Sequence, residues 1–132
     1  MTTLTPSQLA ELLQASAADF SDGYAAEAAA YLLCGHRCLL NRVDFLTACV
    51  DYDHDGTTPV AWIVWETIPD YVEQAPLSSS EANILRLVAE LGGIDTGVPL
   101  ANLLAGLDDS NAHLVIDALA YALRFDGAGR RR

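Results

Sequence analysis

A mainly α-helical fold is predicted by two observations on this 132-residue chain. Apolar residues recur at three- and four-residue spacings through most of its length, and most of those runs are preceded by helix-start chemistry. Hydrophobic residues make up 52% of the chain and charged residues 19%, which is enough apolar surface to offset ordering entropy. The expected architecture is a small helical bundle in two lobes with a minimal two-stranded β element and a C-terminal tri-helical, helix-turn-helix-like lobe. The N-terminal lobe spans 1–75, the C-terminal lobe 76–126, and 127–132 reads as a tail.

Thr5-Pro6-Ser7-Gln8 opens the first helix with a capping Thr, a Pro at N1 and a Gln that can complete a capping box; Leu9, Leu12 and Leu13 form its stripe. Asp19 to Gly23 reads as a break. Tyr24 to Cys34 is so rich in Ala that a second helix follows, ended by Gly35. Its small side chains allow close helix approach, which predicts a central position in the N-terminal lobe. Arg37 to Leu40 reads as a short extended piece, and Asn41 with Asp44 as caps for a helix whose stripe is Phe45, Leu46, Cys49 and Val50.

Val60 to Trp65 is apolar on both faces and rich in β-branched and aromatic residues, so it reads as a short buried strand pairing with Arg37 to Leu40. A helix from about Trp65 to Gln74 follows, with Pro69 near its start. Pro76 to Ser80 is turn-rich and marks the boundary between lobes. Ser78 and Glu81 then form a second capping box before Ile84, Leu85, Val88 and Leu91, with Gly92-Gly93 as the stop. Leu100 to Leu107 makes a short helix, and Asp108 to Asn111 offer caps for a long one reaching about Phe125.

Charge narrows the function classes. The chain has 18 acidic and 7 basic residues, a net charge of -11, and every basic residue is Arg. Nucleic-acid affinity rests largely on cationic side chains displacing counterions, so this balance disfavours a phosphate backbone and an anionic membrane alike. A basic partner protein, a metal ion or plain solubility are the readings left. The N-terminus lacks the charged and apolar regions of a signal peptide, and no apolar run nears the ~18 residues that span a bilayer. The expectation is a cytoplasmic protein; abundant Ala and Arg without Lys suits a GC-rich bacterium or its phage. Three cysteines, an odd number, suit reduced thiols.

The densest chemistry lies in Asp51-Tyr52-Asp53-His54-Asp55-Gly56. Alternating carboxylates before a glycine can converge on one cation where the chain curls. With its flanking elements, the stretch 41–74 resembles an EF-hand helix-loop-helix, which takes ligands at loop positions 1, 3 and 5 and turns at a glycine in position 6. The resemblance implies a calcium site with Asp51, Asp53 and Asp55 as side-chain ligands and Thr57 offering a carbonyl. The closing Glu at position 12 is missing: Trp62 stands there, or Val64 if Thr58-Pro59 is an insertion. The run therefore reads as a structural turn beside a strand, in which Asp caps its own backbone, with weak calcium binding as the testable exception.

Cys34, Cys38, Cys49 and His54, with His36 nearby, can be written as a tetrahedral zinc set. Each thiol is more simply a small core residue, since all three adjoin apolar stripes. The C-terminal lobe resembles helix-turn-helix DNA binders. Its recognition helix, however, would begin with Asp108, Asp109, Ser110 and Asn111, where the two carboxylates repel phosphate and the only Arg, Arg124, lies near the far end.

That last helix is apolar on most sides: Val115, Ala118, Leu119 and Ala122 on one face, widened by Leu114, Ile116 and Leu123, with His113, Asp117, Tyr121 and Arg124 as the polar stripe. Such a helix is either central or covered by a partner or a second copy. Catalytic signatures such as G-x-S-x-G, the P-loop and H-E-x-x-H are missing, so no enzyme is expected. The leading expectation is a non-enzymatic acidic protein-interaction or regulatory module, an inhibitor or adaptor of a basic partner. The rivals are a divergent calcium binder, a nucleic-acid-mimic inhibitor and a helix-turn-helix DNA binder.

Overall fold

The computed structural model describes residues 4–20, 24–56 and 58–123. The tail at 127–132, Thr57 and the predicted run of the last helix beyond residue 123 lie outside them. The chain is mainly helical with a two-stranded antiparallel sheet: α1 Pro6–Phe20, α2 Ala25–Gly35, α3 Arg37–Leu40, α4 Val43–Cys49, β1 Val50–Asp55, β2 Thr58–Ile63, a 3-10 turn Trp65–Thr67, α5 Ile68–Gln74, α6 Ser79–Leu91, α7 Leu100–Ala105 and α8 Asp109–Ala122.

Helix starts follow the side-chain chemistry of the sequence. At α1 the Thr5 amide donates to Gln8 Oε1 at 2.9 Å and the Gln8 amide to Thr5 Oγ1 at 3.1 Å. At α6 the same exchange runs between Ser78 and Glu81, at 2.9 and 3.1 Å. Each box satisfies donors that a helix terminus would otherwise leave unpaired. Asp108 caps α8 by accepting from the Asn111 amide at 2.8 Å. Pro69 sits in the first turn of α5, where its missing N–H costs nothing.

α2 is the centre of the molecule and packs on α1, α3, α6 and α8. Ala26, Ala28, Ala29, Ala30, Leu32 and Leu33 are all buried, so alanines surround most of its circumference and let neighbours come close. Its last residue, Gly35, lies under Leu114 of α8: a Cβ there would stand 2.7 Å from Leu114 Cδ2. The expected boundary at Pro76 falls in the exposed turn between α5 and α6. Helices from both sides of it contribute to one hydrophobic cluster, including Leu13, Leu33, Phe45 and Ile68 from one side and Ile84, Leu85, Val88, Leu103 and Val115 from the other.

Two local expectations are corrected. Arg37–Leu40 is helix α3, not a strand, and the strand that pairs with β2 is β1. Adjacent Leu39 and Leu40 are both buried, which a helical turn inside a bundle permits and a half-exposed strand does not. The hairpin itself arises at Gly56, the first central residue of a two-residue connection between Asp55 and Thr58, with φ +68. Positive φ there is the signature of the primed turns whose twist matches the strands. The second correction concerns α4, whose N-cap is Arg42 rather than Asn41. Asp44 instead accepts from its neighbour's amide, Phe45, at 2.9 Å, and holds the Arg42 guanidinium.

Candidate functional site

The acidic run forms strand β1 and the start of its turn. Its backbone is committed to an extended ladder in which Asp51 faces Trp62, Tyr52 faces Ala61 and Asp53 faces Val60. The element entered from α4 is therefore a hairpin strand. Along a strand, residues two apart share a face but lie about 7 Å apart, so Asp51 and Asp53 stand side by side instead of converging. The Asp55 side chain and Thr57 lie outside what the structure describes. Among the described residues no group of three or more His, Cys, Asp or Glu is arranged to hold a metal ion.

Burial on the hairpin alternates with the pleat. Ala61 and Ile63 are buried, Val50 and Tyr52 half-buried, and all four face inward. Asp51, Asp53 and Trp62 are exposed on the outer side. The far edge of β2 is occupied by α1, where Ser16 Oγ donates to the Ala61 carbonyl at 2.5 Å.

Of the proposed zinc set, Cys49 is fully buried on α4, and burial pushes its thiol pKa up against a hydrogen bond from Thr67. Cys34 is half-buried on α2 and donates to the Ala10 carbonyl at 3.8 Å. Burial raises its pKa to about 11, partly offset by a hydrogen bond with Gln14, so the thiol stays neutral and unreactive at physiological pH. Cys34 lies in the wall of an open groove of about 520 Å³ between α1, α2, α3 and α8, lined also by Pro6, Gln14, Tyr31, Asn41 and Leu114.

A charged cluster closes the base of α4. Arg42 binds Asp44 through Nε and Nη2 at 3.0 and 2.9 Å, a bidentate pair on the surface. That pair holds the Asp44 carboxyl down at about 2, its hydrogen bond with Arg42 being the largest cause. Tyr71 packs its ring edge-on to Phe45 at 5.5 Å, and its buried hydroxyl makes no hydrogen bond of good geometry. Burial, then the neighbouring Asp44 carboxylate, pushes it up to about 12.

α8 divides sharply. Val115 and Ala118 are buried against α2 and α6, and Asn111 at the helix start is buried with its amide donating to Ser80 Oγ at 2.5 Å. The adjoining face is open: Ile116 is 61% exposed and Leu123 78%, with Leu119 beside them. Leu100 and Leu104 of α7 are also exposed. Acidic Asp109 and Asp117 lie on the same helix, and both are exposed. The helix is thus neither central nor wholly covered; one of its two apolar faces meets water.

Three tyrosines meet on the α2–α8 seam without having been singled out from the sequence. Tyr121 stacks parallel to Tyr31 at 6.4 Å, meets Tyr24 edge-on at 6.0 Å and donates its hydroxyl to Glu27 Oε2 at 2.6 Å. The available signal was the seven-residue spacing of Tyr24 and Tyr31, which puts both on one face of a helix. Comparison of the chain with protein-family models, with curated proteins and with solved structures gives no match.

Proposed function

We propose that this chain is a non-enzymatic interaction module, an inhibitor or adaptor that docks a basic partner protein through the outer face of α8. The observation that carries the reading is the open stripe Ile116, Leu119 and Leu123, spaced i, i+3 and i+7 on a helix already anchored by its other face. Isolated apolar residues at a surface are ordinary, but a stripe of this kind on a rigid helix is the usual form of a helix-mediated interface.

Charge selects the occupant. Asp109 and Asp117 are exposed on the same helix and the chain carries -11 overall, so a basic surface gains attraction where a second copy of this chain would bring equal repulsion. Acid at the start of α8 also disfavours DNA, because no cation stands where phosphate contacts are made in helix-turn-helix docking. A nucleic-acid mimic would bind through charge alone and lose its partner in salt, whereas an apolar stripe keeps much of its affinity. The test is capture from the native host by the full chain and by an Ile116→Asp, Leu123→Asp double variant, at low and high salt. Both positions are exposed, so the variant is expected to retain the fold; loss of one basic protein from the variant's captures supports the reading.

A further inference from the structure

The outer face of the β1–β2 hairpin sets an uncovered indole beside carboxylates. Register puts Asp51 directly opposite Trp62 and Asp53 opposite Val60. Directly opposed residues on one face carry Cβ atoms about 5 Å apart, so the Asp51 and Trp62 side chains rise from neighbouring points on the same face. Trp62 is 39% exposed, whereas the other tryptophan, Trp65, is buried. Neither Asp51 nor Trp62 has a hydrogen-bond, ion-pair or ring partner among the described residues.

Resting on the reading of the chain as a module for a basic protein, we propose that this hairpin face docks an arginine-bearing segment of that partner, with the guanidinium laid on Trp62 and donating to Asp51. Charge complementarity chooses a cation, and the geometry chooses which one. A divalent metal needs several oxygens converging on a point, and a strand face with an indole beside its carboxylates does not supply them. An ammonium is compact and strongly hydrated. A guanidinium is planar, more weakly hydrated and able to stack on an indole while its N–H fork reaches carboxylates at the ring edge. Trp is the strongest aromatic partner for a cation, and Trp and Arg are the residues on which interfaces most often depend.

The probe is a capped octapeptide of alternating Arg and Val, titrated into the full 15N-labelled chain, with a Lys-for-Arg version and calcium chloride alone as parallel arms. The Trp62 indole N–H and the amides of residues 51–53 and 60–62 are expected to shift first and saturably, and less with the Lys peptide. Trp62→Thr, which keeps a residue of high strand propensity at that position, is expected to weaken the Arg peptide about tenfold, and Asp51→Asn to weaken it further toward the Lys level. Shifts spread over the acidic helices with the indole unmoved would overturn the proposal. So would calcium alone moving residues 51–53 as strongly as the peptide. The Ile116→Asp, Leu123→Asp variant is expected to keep the hairpin response, so loss of partner capture through α8 and loss of peptide binding at Trp62 are separate results.

Discussion

Gly92 lies directly beneath Trp65: the indole of Trp65 occupies the space that a Cβ at position 92 would fill. The contact joins the 3-10 turn after β2 to the C-terminal end of α6, so it ties the hairpin to the helical core. The backbone at Gly92 is ordinary, with φ -80, and its requirement for glycine is therefore one of space. Gly92→Ala is expected to destabilise the chain by about 1–3 kcal/mol through overpacking, read as a lower urea midpoint with unchanged slope.

Asn111 and Ser80 link the first turns of α8 and α6 by one buried hydrogen bond. Removing the Ser80 hydroxyl leaves the Asn111 amide without that partner in a place where water is largely excluded. Ser80→Ala is expected to cost about 1–3 kcal/mol. The same substitution at the exposed neighbour Ser79 is expected to cost far less, and thermal melts of the two variants side by side check the difference.

The Arg42–Asp44 pair predicts how stability responds to acid. Asp44 titrates near 2 in the folded chain, below its ordinary value of 3.8, because Arg42 holds its charged form. A depressed carboxylate contributes stability that is present above its unfolded pKa and is lost as pH falls through the folded one. Melting temperature should therefore drop between about pH 4 and pH 2. Asp44→Asn is expected to flatten part of that drop, by a small amount because the pair is on the surface and screened by solvent.

Much of the fold could be read from local chemistry. The capping boxes at Thr5–Gln8 and Ser78–Glu81, the Pro69 helix start and the Asp108 cap all depend on residues within three positions of each other, and periodicity identified the stripes they precede. The strand pairing was harder. Arg37–Leu40 and Val50–Asp55 are both short, and what decided between them was burial of Leu39 and Leu40 in the bundle, a tertiary fact. The acidic run was hard to place for a related reason: alternation of Asp51, Asp53 and Asp55 fits both a ligand loop and one face of a strand, and it is the ladder to β2 that makes Val50–Asp55 a strand. On α8 the sequence indicated apolar character nearly all round, but only packing against α2 reveals that Val115 faces in and Ile116 out.

The central claim is that the open stripe of α8 is the docking face. Its most direct test places a photo-crosslinking residue at Leu119, in the middle of the stripe, and a control at Glu11 on the exposed side of α1, in cells of the native host. The account predicts that position 119 alone yields a crosslink to one basic protein and that Ile116→Asp with Leu123→Asp removes it. Equal crosslinking from both positions, or a product at 119 that survives the double substitution, would contradict it.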